Sequence, residues 1–238
     1  IVAIGDLDSD RAANVVDATG LHVLPGLIDT QVHFREPGME QAEDLESGTR
    51  GAVLGGITGL FEMPNTKPLT TTPAAIADKL KRAENRAWCD HAFYIGATAE
   101  NAADLVEWER TPGCCGVKVF MGASTGDLLV PDDETLTRVL ASGSRRVAIH
   151  SEDNARLDER KDYRGDSVAN HPVWRDVESA LKSTRRLLAI AEKARRRVHV
   201  LHVTTAEEMA LLADHKDLVT VEVTPPPLTL SAPECYEE

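Results

Sequence analysis

From Leu27 onward, short apolar runs alternate with stretches of helical periodicity, and this alternation constrains the fold more than any other feature of the chain. Strands are expected near 27-34, 57-63, 91-97, 116-121, 146-150, 198-203 and 218-223. Helices are expected near 42-54, 73-87, 100-109, 132-141, 173-195 and 205-213. Runs such as Val147-Ala-Ile149 are almost continuously apolar, as the strands of a parallel sheet covered by helices must be. Thr72-Pro73, Asp132 and Thr204 or Thr205 stand where helix N-caps are needed. At 238 residues the chain is close to the ~250 typical of one α/β barrel. No G-x-G-x-x-G or P-loop pattern follows a strand, which removes the usual nucleotide-binding sheet. The expected fold is therefore a (β/α)8 TIM-type barrel over residues 27-238.

The polar ends of the strands favour a barrel over an open sheet, because a barrel gathers strand C-termini into one site. In Leu27-Ile-Asp-Thr-Gln-Val-His-Phe-Arg-Glu-Pro-Gly38 the residues Asp29, Gln31 and His33 fall at period-two spacing, which places them on one face of a strand. Lys118 lies in the fourth strand, His150 ends the fifth and His202 belongs to the sixth. Taken alone, each is better read as a hydrogen-bonded core residue or an edge residue. Four strands aiming ligand-type side chains at one axial point instead indicate a metal centre. His22, His91, His171, His199 and His215 lack that placement and are read as structural or surface residues.

Residues 1-26 differ from the rest: Ile1-Val-Ala-Ile4 and Leu21-His-Val-Leu24 read as short strands of a small β-sandwich-like subdomain. A formal charge of -13 disfavours nucleic acid or an anionic membrane as the main partner. No apolar run approaches the ~20 residues of a membrane span. Cys89, Cys114, Cys115 and Cys235 form no ligand spacing or disulfide framework, as expected of reduced thiols in a cytoplasmic protein.

With these residues on the page, the chain resembles the amidohydrolase superfamily. Phe34-Arg-Glu-Pro-Gly38 and Glu62-Met-Pro-Asn-Thr-Lys-Pro68 are similar to the bacterial-type dihydroorotases within it. Gly116-Val-Lys-Val-Phe-Met-Gly122, Ala148-Ile-His-Ser-Glu-Asp153, His171-Pro-Val-Trp-Arg175, Leu201-His-Val-Thr-Thr205 and Glu222-Val-Thr-Pro225 extend the likeness over nearly the whole chain. The resemblance implies two Zn2+ ions at the mouth of the barrel. His33 would bind the first, Lys118 would bridge both after carboxylation of its amine, and His150 and His202 would hold the second. It further implies that Arg35 pairs with a substrate carboxylate and that Asn65 adds a neutral hydrogen bond. The implied reaction interconverts dihydroorotate and carbamoyl aspartate in pyrimidine biosynthesis, in a homo-oligomeric enzyme.

Three departures bear on that expectation. Gln31 stands where the family pattern has the first histidine of a His-x-His pair, and an amide oxygen is the weaker zinc ligand. Thr224-Pro-Pro-Pro-Leu228 lacks the histidine or glutamine that relatives carry there. The family's proton-shuttling aspartate, on an eighth strand, has no counterpart up to Glu238; seven strands do not close a barrel, so that residue is expected beyond Glu238. Gln31 also sustains a second expectation, a silent homologue that scaffolds aspartate transcarbamoylase. An allantoinase or hydantoinase is the third, although a neutral ring offers Arg35 no carboxylate.

Overall fold

In the computed structural model, which describes residues 2–6, 12–123 and 128–236, the seven apolar runs form one parallel sheet with its strands in sequence order. The strands are β1 (Leu27–Val32), β2 (Ile57–Glu62), β3 (Asp90–Gly96), β4 (Cys114–Phe120), β5 (Val147–His150), β6 (Val198–Val200) and β7 (Val219–Val221). Helices follow them: α1 (Leu45–Leu54), α2 (Pro73–Ala83), α3 (Leu105–Trp108), α4 (Asp133–Ala141), α5 (Asn154–Glu159), α6 (His171–Trp174), α7 (Val177–Ala194), α8 (Ala206–Ala213) and α9 (Pro225–Thr229). The sheet curls until its outermost strands approach each other. Thr30 Oγ1 of β1 donates to Glu222 Oε2, just beyond β7, at 2.8 Å. The architecture is the curled, open seven-stranded sheet of a truncated TIM-type barrel.

Strand alternation divides the core in two. Val117 and Val119, Val198 and Val200, and Phe93 and Ile95 face outward and pack with helix residues such as Leu45, Ile76, Leu136 and Leu187 in one large cluster. The opposite face carries a smaller cluster of Met63, Tyr94, Ala148 and Leu201, which fills the barrel beneath its polar mouth. Burying each large apolar side chain contributes roughly 1.5–3 kcal/mol, so the helix layer holds most of the stability.

Local signals fix the helix starts. Asp44, Thr72, Asp132, Asp176 and Thr205 are N-caps whose side chains accept a backbone N–H three residues on, and Pro73 opens α2. Other boundaries move inward. The expected helix at 100-109 shrinks to the single turn of α3, and 173-195 divides into α6 and α7 because Asp176 takes an extended backbone and caps the second piece. The expected sixth strand, 198-203, stops at Val200, and His202 turns the chain with a positive φ of 40°.

The strands expected at 1-4 and 21-24 do not form among the described residues; Ile1 lies outside them. Val2, Ile4, Leu21, Val23 and Leu24 are all exposed. A strand requires a neighbour to take its backbone hydrogen bonds, and no described strand offers one there. No helix among the described residues is long and apolar enough to cross a membrane.

Candidate active site

The C-terminal ends of β1, β4, β5 and β6 converge, and each contributes one of the residues singled out from the sequence. On β1 the convergence depends on a bulge. Asp29 pairs with Leu60 and Val32 with Glu62, so two residues of β1, Thr30 and Gln31, oppose Phe61 alone. The extra residue flips the phase: Asp29 shares the outward face of Val32, and only Gln31 and His33 keep the inward phase. The expectation that Asp29 projects with Gln31 and His33 is therefore corrected; a one-residue bulge reverses every face beyond it.

His33 Nδ1 lies 2.8 Å from Asn65 Oδ1. Because an amide oxygen only accepts, the ring carries its proton on Nδ1 and leaves the Nε2 lone pair for another partner. Burial, with the charges of Arg35 and Lys118 adding to it, lowers the His33 pKa to about 4. Asn65 is thus placed to orient His33. Among the described residues the Arg35 guanidinium has no hydrogen bond or ion pair, although it stands near enough to act on His33. Its neighbour Glu36 does structural work: it pairs with Arg86 through both oxygens, at 2.7 and 3.1 Å, and accepts the Leu45 N–H that opens α1.

Lys118 is fully buried, and its Nζ has no hydrogen-bond partner. The Phe120 ring, on the same face of β4, has its centroid 4.2 Å from this Nζ. Burial drives its pKa well below that of an ordinary lysine, against an opposing pull from Glu222, and its charge acts on His33, His150 and His202. An unpartnered lysine in such a place is expensive as an ammonium ion and nucleophilic as a free amine.

His150 and His202 meet edge to face. His150 Nδ1 lies 3.1 Å from His202 Nε2, and their ring centroids are 4.9 Å apart. Two nitrogens bound tetrahedrally to one zinc at ~2.0–2.1 Å would stand about 3.3 Å apart, so the pair is already spaced for one ion. Burial lowers the His150 pKa, and burial together with His150 and Lys118 lowers that of His202 to about 3. All three imidazoles are therefore neutral near pH 7, the form that ligates metal.

Among the described residues no three His, Cys, Asp or Glu side chains group as a metal site. Among the described residues, the buried Nζ of Lys118 and the buried Oε1 of Gln31, both without a hydrogen bond, are candidate further donors. These orphaned atoms fit a metal centre whose lysine has been converted to a carbamate. A cavity of about 320 Å³ opens over His150, Glu152, Arg175, His202 and Thr205.

Four residues of the site and its surroundings, Glu152, Arg175, His199 and Glu222, are not among the candidates read from the sequence. Glu152 accepts a hydrogen bond from His150 Nε2 at 2.7 Å and is itself paired with Arg175. The His150-x-Glu152 spacing at a strand end was the available signal, since alternation returns both to one face. His199, read as structural or surface, reaches Thr220 at 2.8 Å and Glu222 at 3.0 Å, so Glu222 belongs to a half-buried polar group that also touches Thr30.

Comparison with known proteins supplies the family. The chain is 32% identical to an allantoinase of Deinococcus radiodurans over 94% of its own length and 53% of the relative's. It is 34% identical to a dihydroorotase of Methanosarcina acetivorans, covering 92% of this chain and 49% of that one. Among solved structures, a dihydropyrimidinase from Brevibacillus agri superposes with a TM-score of 0.85 at 28% identity, over 97% of this chain and 53% of that chain. The chain thus spans about half the length of the relatives it matches. The profile of the Amidohydrolase family matches residues 22–224, and on that match, the barrel and the curated relatives, the chain belongs to the amidohydrolase family.

Proposed function

We propose that this chain forms the metal-binding barrel of a zinc-dependent dihydroorotase, which interconverts dihydroorotate and N-carbamoyl-aspartate in cytoplasmic pyrimidine biosynthesis. The reading rests above all on Lys118, a fully buried amine without a hydrogen-bond partner that acts electrostatically on three neutral histidines. Depressed basicity leaves a neutral amine free to attack carbon dioxide: an Nζ–C bond forms as one C=O π bond of carbon dioxide opens, one N–H proton leaves, and the neutral amine becomes an anionic carbamate able to ligate. His33 and Gln31 would hold one zinc, His150 and His202 the other, and carboxylated Lys118 both. When bound, the pair of ions supplies Lewis acidity toward water and toward the ring amide carbonyl.

The remaining roles belong to side chains. Arg35, without a hydrogen bond or ion pair among the described residues and close enough to act on His33, offers a planar fork for the substrate carboxylate. Asn65 holds the His33 tautomer.

Two other readings have specific support. Relatives named allantoinase match as well as those named dihydroorotase, at 32% and 35% against 34% and 35% identity, so similarity alone does not choose the substrate. The silent scaffold of an aspartate transcarbamoylase is favoured by Gln31 and by Pro226 and Pro227. One experiment separates the three: zinc content of chelator-free protein, with hydrolysis of dihydroorotate, allantoin and a hydantoin assayed side by side. About two zincs with turnover of dihydroorotate supports the proposal. Turnover confined to allantoin or hydantoin moves the substrate, and neither zinc nor turnover favours the scaffold.

A further inference from the structure

His150 is held from three directions, and the hold determines which of its nitrogens is free. Its Nε2–H donates to Glu152 Oε2 at 2.7 Å. The same carboxylate oxygen takes the Arg175 Nη1, while Arg175 Nη2 donates to Ala123 O at 2.8 Å. Arg175 also lies over the Trp174 ring, 4.4 Å from its centroid, and Trp174 is pinned by its Nε1–H to Leu157 O at 3.0 Å. From the β4 side the backbone of Glu152 is pressed against Gly122, where an added Cβ would come within 2.7 Å of the Glu152 carbonyl oxygen.

We propose that Glu152 and Arg175 are positioning residues: they lock His150 in its Nε2–H tautomer and so keep the Nδ1 lone pair turned toward His202. The alternative tautomer has an outlet in this structure. With the proton on Nδ1, His150 would donate to His202 Nε2 across the 3.1 Å that separates them, and that hydrogen would block the direction a ligating lone pair needs. Glu152 removes this outlet by claiming the proton on the opposite side of the ring. Arg175 fixes the carboxylate and ties α6 to Ala123, so the ends of β4 and β5 are set against each other by one guanidinium. The inference rests on the metal-centre reading only for its purpose; the tautomer itself is a property of the metal-free protein.

The test uses 15N-histidine-labelled protein without metal, followed by zinc titration against a chromophoric chelator. The parent is expected to show His150 as the Nε2–H form. Glu152→Leu is expected to shift it toward Nδ1–H and to weaken zinc binding 10- to 100-fold, the range found for outer partners of metal ligands. Glu152→Gln, which keeps an acceptor oxygen, is expected to restore the tautomer and to bind zinc within about threefold of the parent. Arg175→Met, which leaves the Glu152 contact but frees the carboxylate, is expected to lose about fivefold or more, and it carries the test if Glu152→Leu does not fold. An unchanged tautomer with zinc affinity within twofold of the parent, in Glu152→Leu or in Arg175→Met, overturns the inference. A parent that binds no zinc sinks the metal-centre reading and leaves the tautomer measurement to decide this one.

Discussion

Replacing Lys118 by Met sets stability against function in a way that only an unpaired buried amine explains. Met keeps most of the length and the apolar stem while removing Nζ, a fully buried atom without a hydrogen-bond partner. A buried polar group left unsatisfied costs about 1–3 kcal/mol, and the Phe120 ring 4.2 Å away offsets part of that cost when the amine is charged. Metal-free Lys118→Met should therefore be more stable than the parent by about 2 kcal/mol, which for a chain of this size raises the melting temperature by roughly 4–8 °C. Zinc with bicarbonate should reverse the order. A ligand at a hundred times its dissociation constant adds about 2.7 kcal/mol to a protein that binds it, and only the parent has the bridging donor. The assay is a pair of thermal melts, one in chelator and one in zinc with bicarbonate. A metal-free variant less stable than the parent would mean that Lys118 has a stabilising partner. Equal zinc stabilisation of parent and variant would remove Lys118 from the metal site.

Arg35→Met should raise KM for dihydroorotate about 10- to 100-fold with an unchanged melting temperature, because the guanidinium has no hydrogen bond or ion pair to lose; unaltered kinetics would exclude Arg35 from the substrate site. Lys79→Met should destabilise by about 3–5 kcal/mol in urea, since it strands Glu62, which lies 2.6 Å from Lys79 Nζ with both side chains buried. The double variant Lys79→Met with Glu62→Leu should recover most of that, and no recovery would deny the pairing. Burial works to raise the Asp153 carboxyl, but its bonds to Lys182, at 2.9 Å, and to the Arg156 N–H carry it below the usual range. A depressed folded pKa gives stability that is present above the unfolded value of about 3.9 and lost as pH falls through the folded one. The stability gap between the parent and Asp153→Asn should therefore close below about pH 4 in urea titrations; a gap constant down to pH 2 would show that the charge plays no part.

The periodicity of the apolar runs and the N-cap chemistry at Thr72, Asp132 and Thr205 were enough to place seven strands and most of the helices, because both signals are local and both are satisfied within a few residues. The candidate ligands could be read for a related reason: His33, Lys118, His150 and His202 are polar interruptions at the ends of apolar strands, where a buried side chain without a partner has to be explained. What remained hidden depends on the neighbouring strand or on side chains distant in sequence. Asp29 lost its place in the site to a bulge that exists only in register with β2, and the strands sought before Leu27 had no described neighbour to bond with. Asn65 could be picked out as a polar residue after Pro64, but its hold on His33 spans 32 residues, and the hold of Arg175 on Glu152 spans 23. Such contacts leave no periodic trace. The sequence alone determined which side chains are costly to bury, and the tertiary structure decided which nitrogen of His33 and of His150 is left without a proton.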